Sequence, residues 1–221
     1  MIDPDIHNLL RYTEARVAQV GHHPEMPELA ARLGYTCEPG AMSRLERGSR
    51  VIYQADLSES ERRADIAHEL GHGLMREGQY TSFEEVLRHR HASAPDIDQH
   101  IEIMADLQGD LLLMPGEDVA SVLAISGYNA RAVWVLHQHM RVRLREALRR
   151  IVLYDFDRRC AGFVVQGGRI TEATSHRCYL PFWRGSKLPE GMLEEFEEAG
   201  GSLMQVPGYP SQIIGLIVVE E

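Results

Sequence analysis

His68 and His72 stand four residues apart, with Glu69 beside the first, in the segment His68-Glu69-Leu70-Gly71-His72. On a helix, positions i and i+4 share one face, one turn apart. Two imidazoles so placed can hold one zinc ion, each at about 2.0–2.1 Å. Glu69 is turned by about 100° around the axis. That takes it out of the ligand set but leaves it within reach of an attacking water, the position of a general base. An HExxH pattern arises by chance roughly once in twenty chains of this composition, so its surroundings must decide. Here the apolar residues Ile66, Leu70 and Leu74 occupy a different face from the histidines. Gly71 and Gly73 each cost a helix about 1 kcal/mol relative to alanine. Two of them together imply the close approach of another element.

A catalytic zinc takes a third protein ligand and keeps a fourth position open. Downstream candidates are His89, His91, His100, Glu102, Asp106 and Asp110. Glu102 and Asp106 are again i and i+4, on a helix whose other face is apolar. One carboxylate can bind the metal while the other accepts a hydrogen bond from a ligating imidazole. Residue type alone divides the third-ligand role among Glu102, Asp106 and a histidine of 89–100. For the oxyanion donor, Tyr80, His89, Arg90, His91 and His100 all have suitable chemistry.

The stretch Ile66-Ala67-His68-Glu69-Leu70-Gly71-His72, then Glu102-Ile103-Met104-Ala105-Asp106, then Leu111-Leu112-Leu113-Met114-Pro115, resembles the ImmA/IrrE metallopeptidases. The resemblance spans about residues 24–150 and is strongest over 64–115. It implies a zincin-like fold with His68, His72 and Glu102 as metal ligands, Glu69 as general base and Asp106 bonded to a ligating imidazole. It also implies a protein substrate, a helix-turn-helix transcriptional repressor whose cleavage switches on stress-response or mobile-element genes. Two features depart from the family pattern. Asp65 stands where Thr or Ser is usual, and Gln108-Gly109-Asp110 stands where the family usually carries an aromatic and small residues.

These groups need elements to hold them. Helical spacing of Ile6, Leu9, Leu10 and Val17 predicts a first helix capped by Asp3 or Asp5, and a second follows Pro24 and ends at Gly34. Residues 35–38 and 50–54 read as short strands, the second rich in β-formers. If it is an exposed edge, it could pair with an extended peptide. Helices are expected over about 58–77, from 96 or 98 to 114, over 117–125, and from 129 to 150 without a break. Residues 151–156 read as a strand. Gln166-Gly167-Gly168 signals a hairpin between 160–165 and 169–174. A helix over 190–199 and a strand over 213–219 complete the chain. Of Phe182-Trp183-Arg184, a core anchor is the favoured reading.

The fold class expected is therefore α+β. Residues 1–115 form a mostly helical zincin-like metallopeptidase domain with a small edge sheet. Residues 116–150 form a helix-turn-helix-like region, and 151–221 a small C-terminal α+β appendage with a regulatory role. With 221 residues and 44% hydrophobic composition the chain can bury such cores. The net charge of −10 repels phosphate backbones. Locally, six arginines between 131 and 150 oppose the single acid Glu146, but the apolar stripe Val133, Leu136, Met140, Leu144, Leu148 and Ile151 favours packing over DNA contact. Cys37, Cys160 and Cys178 form no CxxC pair, which fits a reducing compartment. The N-terminus lacks a signal-peptide pattern, and no apolar run reaches membrane length, so a cytoplasmic protein is expected. The expected function is a zinc endopeptidase acting on a regulatory protein. Manganese or iron also suits the donor set. The alternative is a metal-containing sensor or binding module that acts by protein or DNA contact.

Overall fold

The computed structural model describes residues 4–47, 49–77, 82–90 and 96–219. They form an α+β chain that divides into two units, residues 2–115 and 116–221.

The first unit opens with α1 (Pro4–Val20) and α2 (Met26–Leu33). Gly34 ends α2 in the left-handed region at φ 93°, where its amide donates back to the helix, as the sequence predicts. The expected cap at Asp3 lies outside the described residues. A three-stranded sheet follows, of β1 (Thr36–Gly40), β2 (Arg44–Glu46) and β3 (Arg50–Gln54). Its order is β1-β3-β2, with β3 parallel to β1 and antiparallel to β2. The strand expected as a possible edge is thus central, because β2, too short and polar to stand out in the sequence, covers its far side. Then come α3 (Glu59–Arg76), α4 (Phe83–Arg90) and α5 (Ile97–Leu113). Ser58 starts α3: the Glu61 carboxylate accepts from the Ser58 amide at 3.1 Å, closing a capping box.

The core of this unit gathers Leu9, Met75, Leu87, Ile101, Met104 and Ala105. Within it α3 and α5 approach closely. A Cβ on Gly71 would lie 2.6 Å from the Ala105 carbonyl oxygen, and one on Gly109 would lie 3.2 Å from the backbone of Ala67 and His68. Gly73 instead admits the Tyr35 ring, 2.6 Å from where its Cβ would be. Both glycines of the HExxH helix are therefore explained by contact. Gln108, one of the departures from the family pattern, links this pair to α1: its amide donates to Thr13 Oγ1 at 2.8 Å in a buried site.

The second unit begins with α6 (Gly116–Ser126), α7 (Ala130–Met140) and α8 (Leu144–Val152). The single helix expected over 129–150 is broken. Arg141 adopts φ 52° and caps α7, and α8 restarts after Arg143. The strand expected over 151–156 is also corrected: Ile151 and Val152 are the buried end of α8. A four-stranded sheet follows, of β4 (Arg159–Gln166), β5 (Arg169–His176), β6 (Ser202–Gln205) and β7 (Gln212–Val219), with α9 (Met192–Glu198) between β5 and β6. The order is β5-β4-β7-β6, with every pair antiparallel. Gly167 and Gly168, at φ 56° and 73°, make the two-residue hairpin turn that the sequence signals. Phe163 packs edge-on against Phe182 and Phe196, with ring centroids 5.2 and 4.9 Å away. Phe182 is thus the anchor, while Trp183 beside it is exposed.

Gly→Ala inside a helix ordinarily stabilises by about 1 kcal/mol. At Gly71 the sign reverses, because the new methyl collides with the α5 backbone. We expect Gly71→Ala to lower unfolding stability by about 1–3 kcal/mol, read by chemical denaturation. An unchanged or raised midpoint would refute the close-packing account.

Candidate metal centre

α3 and α5 each supply two polar groups to one spot, and the small residues between them set the separation. His68 and His72 leave α3 one turn apart, with rings edge-to-face and centroids 4.8 Å from each other. Glu102 and Asp106 leave α5 one turn apart, two residues before Met104 and one after Ala105, both buried in the core. The Nε2 atoms of the two histidines are 3.2 Å apart. Glu102 places one carboxylate oxygen 3.2 Å from His68 Nε2 and the other 3.5 Å from His72 Nε2. Four donors at about 2.0–2.1 Å from a tetrahedral zinc lie roughly 3.3–3.4 Å from each other. Each separation is close to that spacing, with the two Glu102 oxygens each facing one imidazole. Among the described residues, His68, His72 and Glu102 are the group of side chains able to hold a metal ion together.

Asp106 does something different. Its Oδ1 lies 2.9 Å from His68 Nδ1, so the ring donates to it there. That fixes the tautomer and leaves the Nε2 lone pair free toward Glu102 and His72. His72 Nδ1 is buried and has no hydrogen-bond partner among the described residues.

The electrostatics follow from this crowding. Burial opposes protonation of His68, but the Asp106 hydrogen bond and charge, helped by Glu69 and Glu102, outweigh it and raise its pKa. His72 goes the other way: burial and the neighbouring His68 lower its pKa, and Glu102 offsets them only in part. Two nitrogens facing each other at 3.2 Å cannot both carry protons. A cation between them would replace the proton they compete for.

Glu69 is buried on the same helix. Burial raises its pKa first, with the charges of Asp65 and Glu102 adding, against His68 and a hydrogen bond from the Leu45 backbone amide. Leu45 lies in β2, the sheet edge. That strand is tied to α3 through Asp65, whose carboxylate accepts from the Gln54 amide at 3.2 Å and from the Ser43 hydroxyl. The sequence marks Asp65 only as a departure from the family pattern and gives no sign of Leu45. A backbone donor on a three-residue strand leaves no side-chain signal.

Of the other third-ligand candidates, His89 lies exposed on α4, and His100 and Asp110 fall outside the cluster. His91 and Tyr80 lie outside the described residues. Of the remaining oxyanion candidates, Arg90 is exposed at the end of α4.

Solved structures share this fold. One, a Mycobacterium tuberculosis transcriptional regulator, superposes with a TM-score of 0.63 at 14% sequence identity, covering 95% of this chain and 75% of that one. A search of curated proteins finds no match. The sequence model of the IrrE N-terminal-like domain, Peptidase M78, matches residues 14–151, which include both helices of the candidate centre. With more than half of its residues in that match, the chain belongs to the IrrE N-terminal-like (Peptidase M78) family of metallopeptidases.

Proposed function

We propose that the chain is a zinc-dependent endopeptidase that cleaves a regulatory protein, a helix-turn-helix transcriptional repressor in the first instance. The observation that carries this reading is the convergence of His68, His72 and Glu102: the two Nε2 atoms lie 3.2 Å apart, with one Glu102 oxygen 3.2 Å from His68 and the other 3.5 Å from His72, spacings that suit one metal ion. In it His68, His72 and Glu102 are the ligands. Asp106 keeps the proton on His68 Nδ1. Zinc is the metal favoured by two imidazoles and a carboxylate, and manganese or iron fits the same donors. Such an ion, when bound, acidifies water and polarises a scissile carbonyl.

Glu69 is the general base. It takes the proton of the attacking water and later delivers it to the leaving amine. Its burial holds the carboxyl above its ordinary value, which suits both halves of that exchange. The Leu45 amide steadies it from β2. The outer edge of β2, rather than β3, is then the strand edge beside the base, and an extended substrate pairs there by strand addition. The exposed Met42 precedes that edge.

In this reading residues 1–115 are the peptidase domain, 116–150 a helix-turn-helix-like helical region, and 151–221 a regulatory part. A role in transcription control gains support from the solved structure of like fold, itself titled a transcriptional regulator. The partner is a protein rather than DNA. The arginines of 141–150 no longer form one basic helix, since Arg143 is held by Glu146 and Arg150 stacks on Tyr154. No helix among the described residues is long and apolar enough to cross a membrane.

Two measurements test the roles. Zinc content by elemental mass spectrometry should be about one per chain in wild type and fall sharply in Glu102→Ala. Asp106→Asn should keep the site but weaken it by about 10–100-fold. Equal zinc in Glu102→Ala would move the third-ligand role elsewhere. Separately, zinc-loaded wild type should cleave members of a peptide library drawn from helix-turn-helix repressors, and Glu69→Gln should retain zinc while losing about 10²–10⁴ in kcat. Undiminished function in Glu69→Gln would favour a metal-containing binding module instead.

A further inference from the structure

The second unit holds a pocket of about 220 Å³ that the peptidase reading does not use. One wall is the first turn of α8, with Arg143 at its N-cap and Arg145 one residue inside the helix. A helix start carries partial positive charge of its own. The floor is Val164 of β4, with Gln212 at the start of β7 beside it. Leu148 seats α8 on this sheet face, filling the space a Cβ on Gly162 would need.

Two details equip this recess for a ligand. The β4–β5 ladder pairs Val164 with Glu172 and Val165 with Ile170, so Thr171 is an extra residue at a bulge. A bulge re-aims a side chain, and Thr171 lines the pocket, its hydroxyl held by the Val164 carbonyl at 3.2 Å. Arg184 reaches in from the connection between β5 and α9 and makes no hydrogen bond or ion pair among the described residues.

The charges can be counted. Three arginines meet here in a chain of net charge −10. The acids facing them are buried. Glu146 accepts from the Arg143 amide at 2.8 Å and its Nε at 2.6 Å, and lies 3.9 Å from Arg145 Nε. Glu172 leaves the same sheet face as its ladder partner Val164. Of the three arginines, Arg184 is the one with no hydrogen bond or ion pair among the described residues.

We propose that this pocket binds a small molecule through an oxyanion, a carboxylate or a phosphate group. Guanidinium forks match the paired oxygens of both, and the Gln212 amide adds a neutral donor. At roughly 30 Å³ per water the space holds about seven waters. That is below the 300–1,000 Å³ of larger ligand sites, so the ligand is a compact metabolite rather than a nucleotide or peptide. The proposal does not depend on the peptidase reading.

Isothermal titration of the full zinc-loaded chain tests it, with inorganic phosphate in one arm and succinate in the other, at ionic strength fixed by sodium chloride. We expect saturable one-to-one binding of at least one anion. Arg184→Gln should weaken it at least tenfold, as loss of a charged hydrogen bond does. Arg131→Gln removes an equal charge from an exposed site on α7 and should leave it unchanged. No binding of either anion above the chloride background, or equal binding by Arg184→Gln, would overturn the proposal. So would equal weakening by Arg131→Gln, which would mean a diffuse charge effect.

Discussion

The distance between α3 and α5 governs the candidate centre. Gly71 against Ala105, and Ala67 against Gly109, let the two backbones meet with no side chain between them. Only at that separation can the short Asp106 side chain bond His68 at 2.9 Å while Glu102 spans both imidazoles. A single methyl at Gly71 would push the carboxylate pair away from the histidine pair. The cost of two helix glycines is offset by the geometry they allow.

That geometry concentrates opposed charges. Two imidazole nitrogens face each other, one pushed toward the protonated state and the other away from it, with Glu102 across both. Partly buried groups that compete for one proton are costly unless something satisfies them together. A divalent cation does so, and membership in a metallopeptidase family fits this arrangement. β2 extends the same logic outward: its Leu45 amide reaches the Glu69 carboxylate, and Asp65 ties the loop before it to β3. The sheet edge, the base and the metal cluster are thus one connected set of contacts within a single unit.

Much of this was legible in the residues. The i, i+4 spacing of His68 and His72, repeated by Glu102 and Asp106, is a geometric statement that helices make true. Gly71 and Gly73 announced close contacts, though not with which partner. The failures also have physical reasons. The apolar stripe from Val133 to Ile151 continues in phase across Arg141–Arg143, with no glycine or proline to mark the break that Arg141 makes at positive φ. Ile151 and Val152 look like strand residues in isolation, yet Leu144, Ala147, Leu148, Ile151 and Val152 follow helical spacing and are buried as such. β2 is only Arg-Leu-Glu, three residues with no run of β-formers to mark them, so nothing in the sequence shows that β3 has a neighbour on that side. The arginine pocket assembles from α8, three strands and a loop, and no linear pattern encodes such a meeting.

X-ray absorption at the zinc edge of the wild-type chain, purified without added metal, tests the central claim most directly. The account predicts a first coordination sphere of nitrogen and oxygen only, at about 2.0–2.1 Å, with the scattering pattern of two imidazoles. A sulfur contribution near 2.3 Å, or a signal with one imidazole or none, would contradict it.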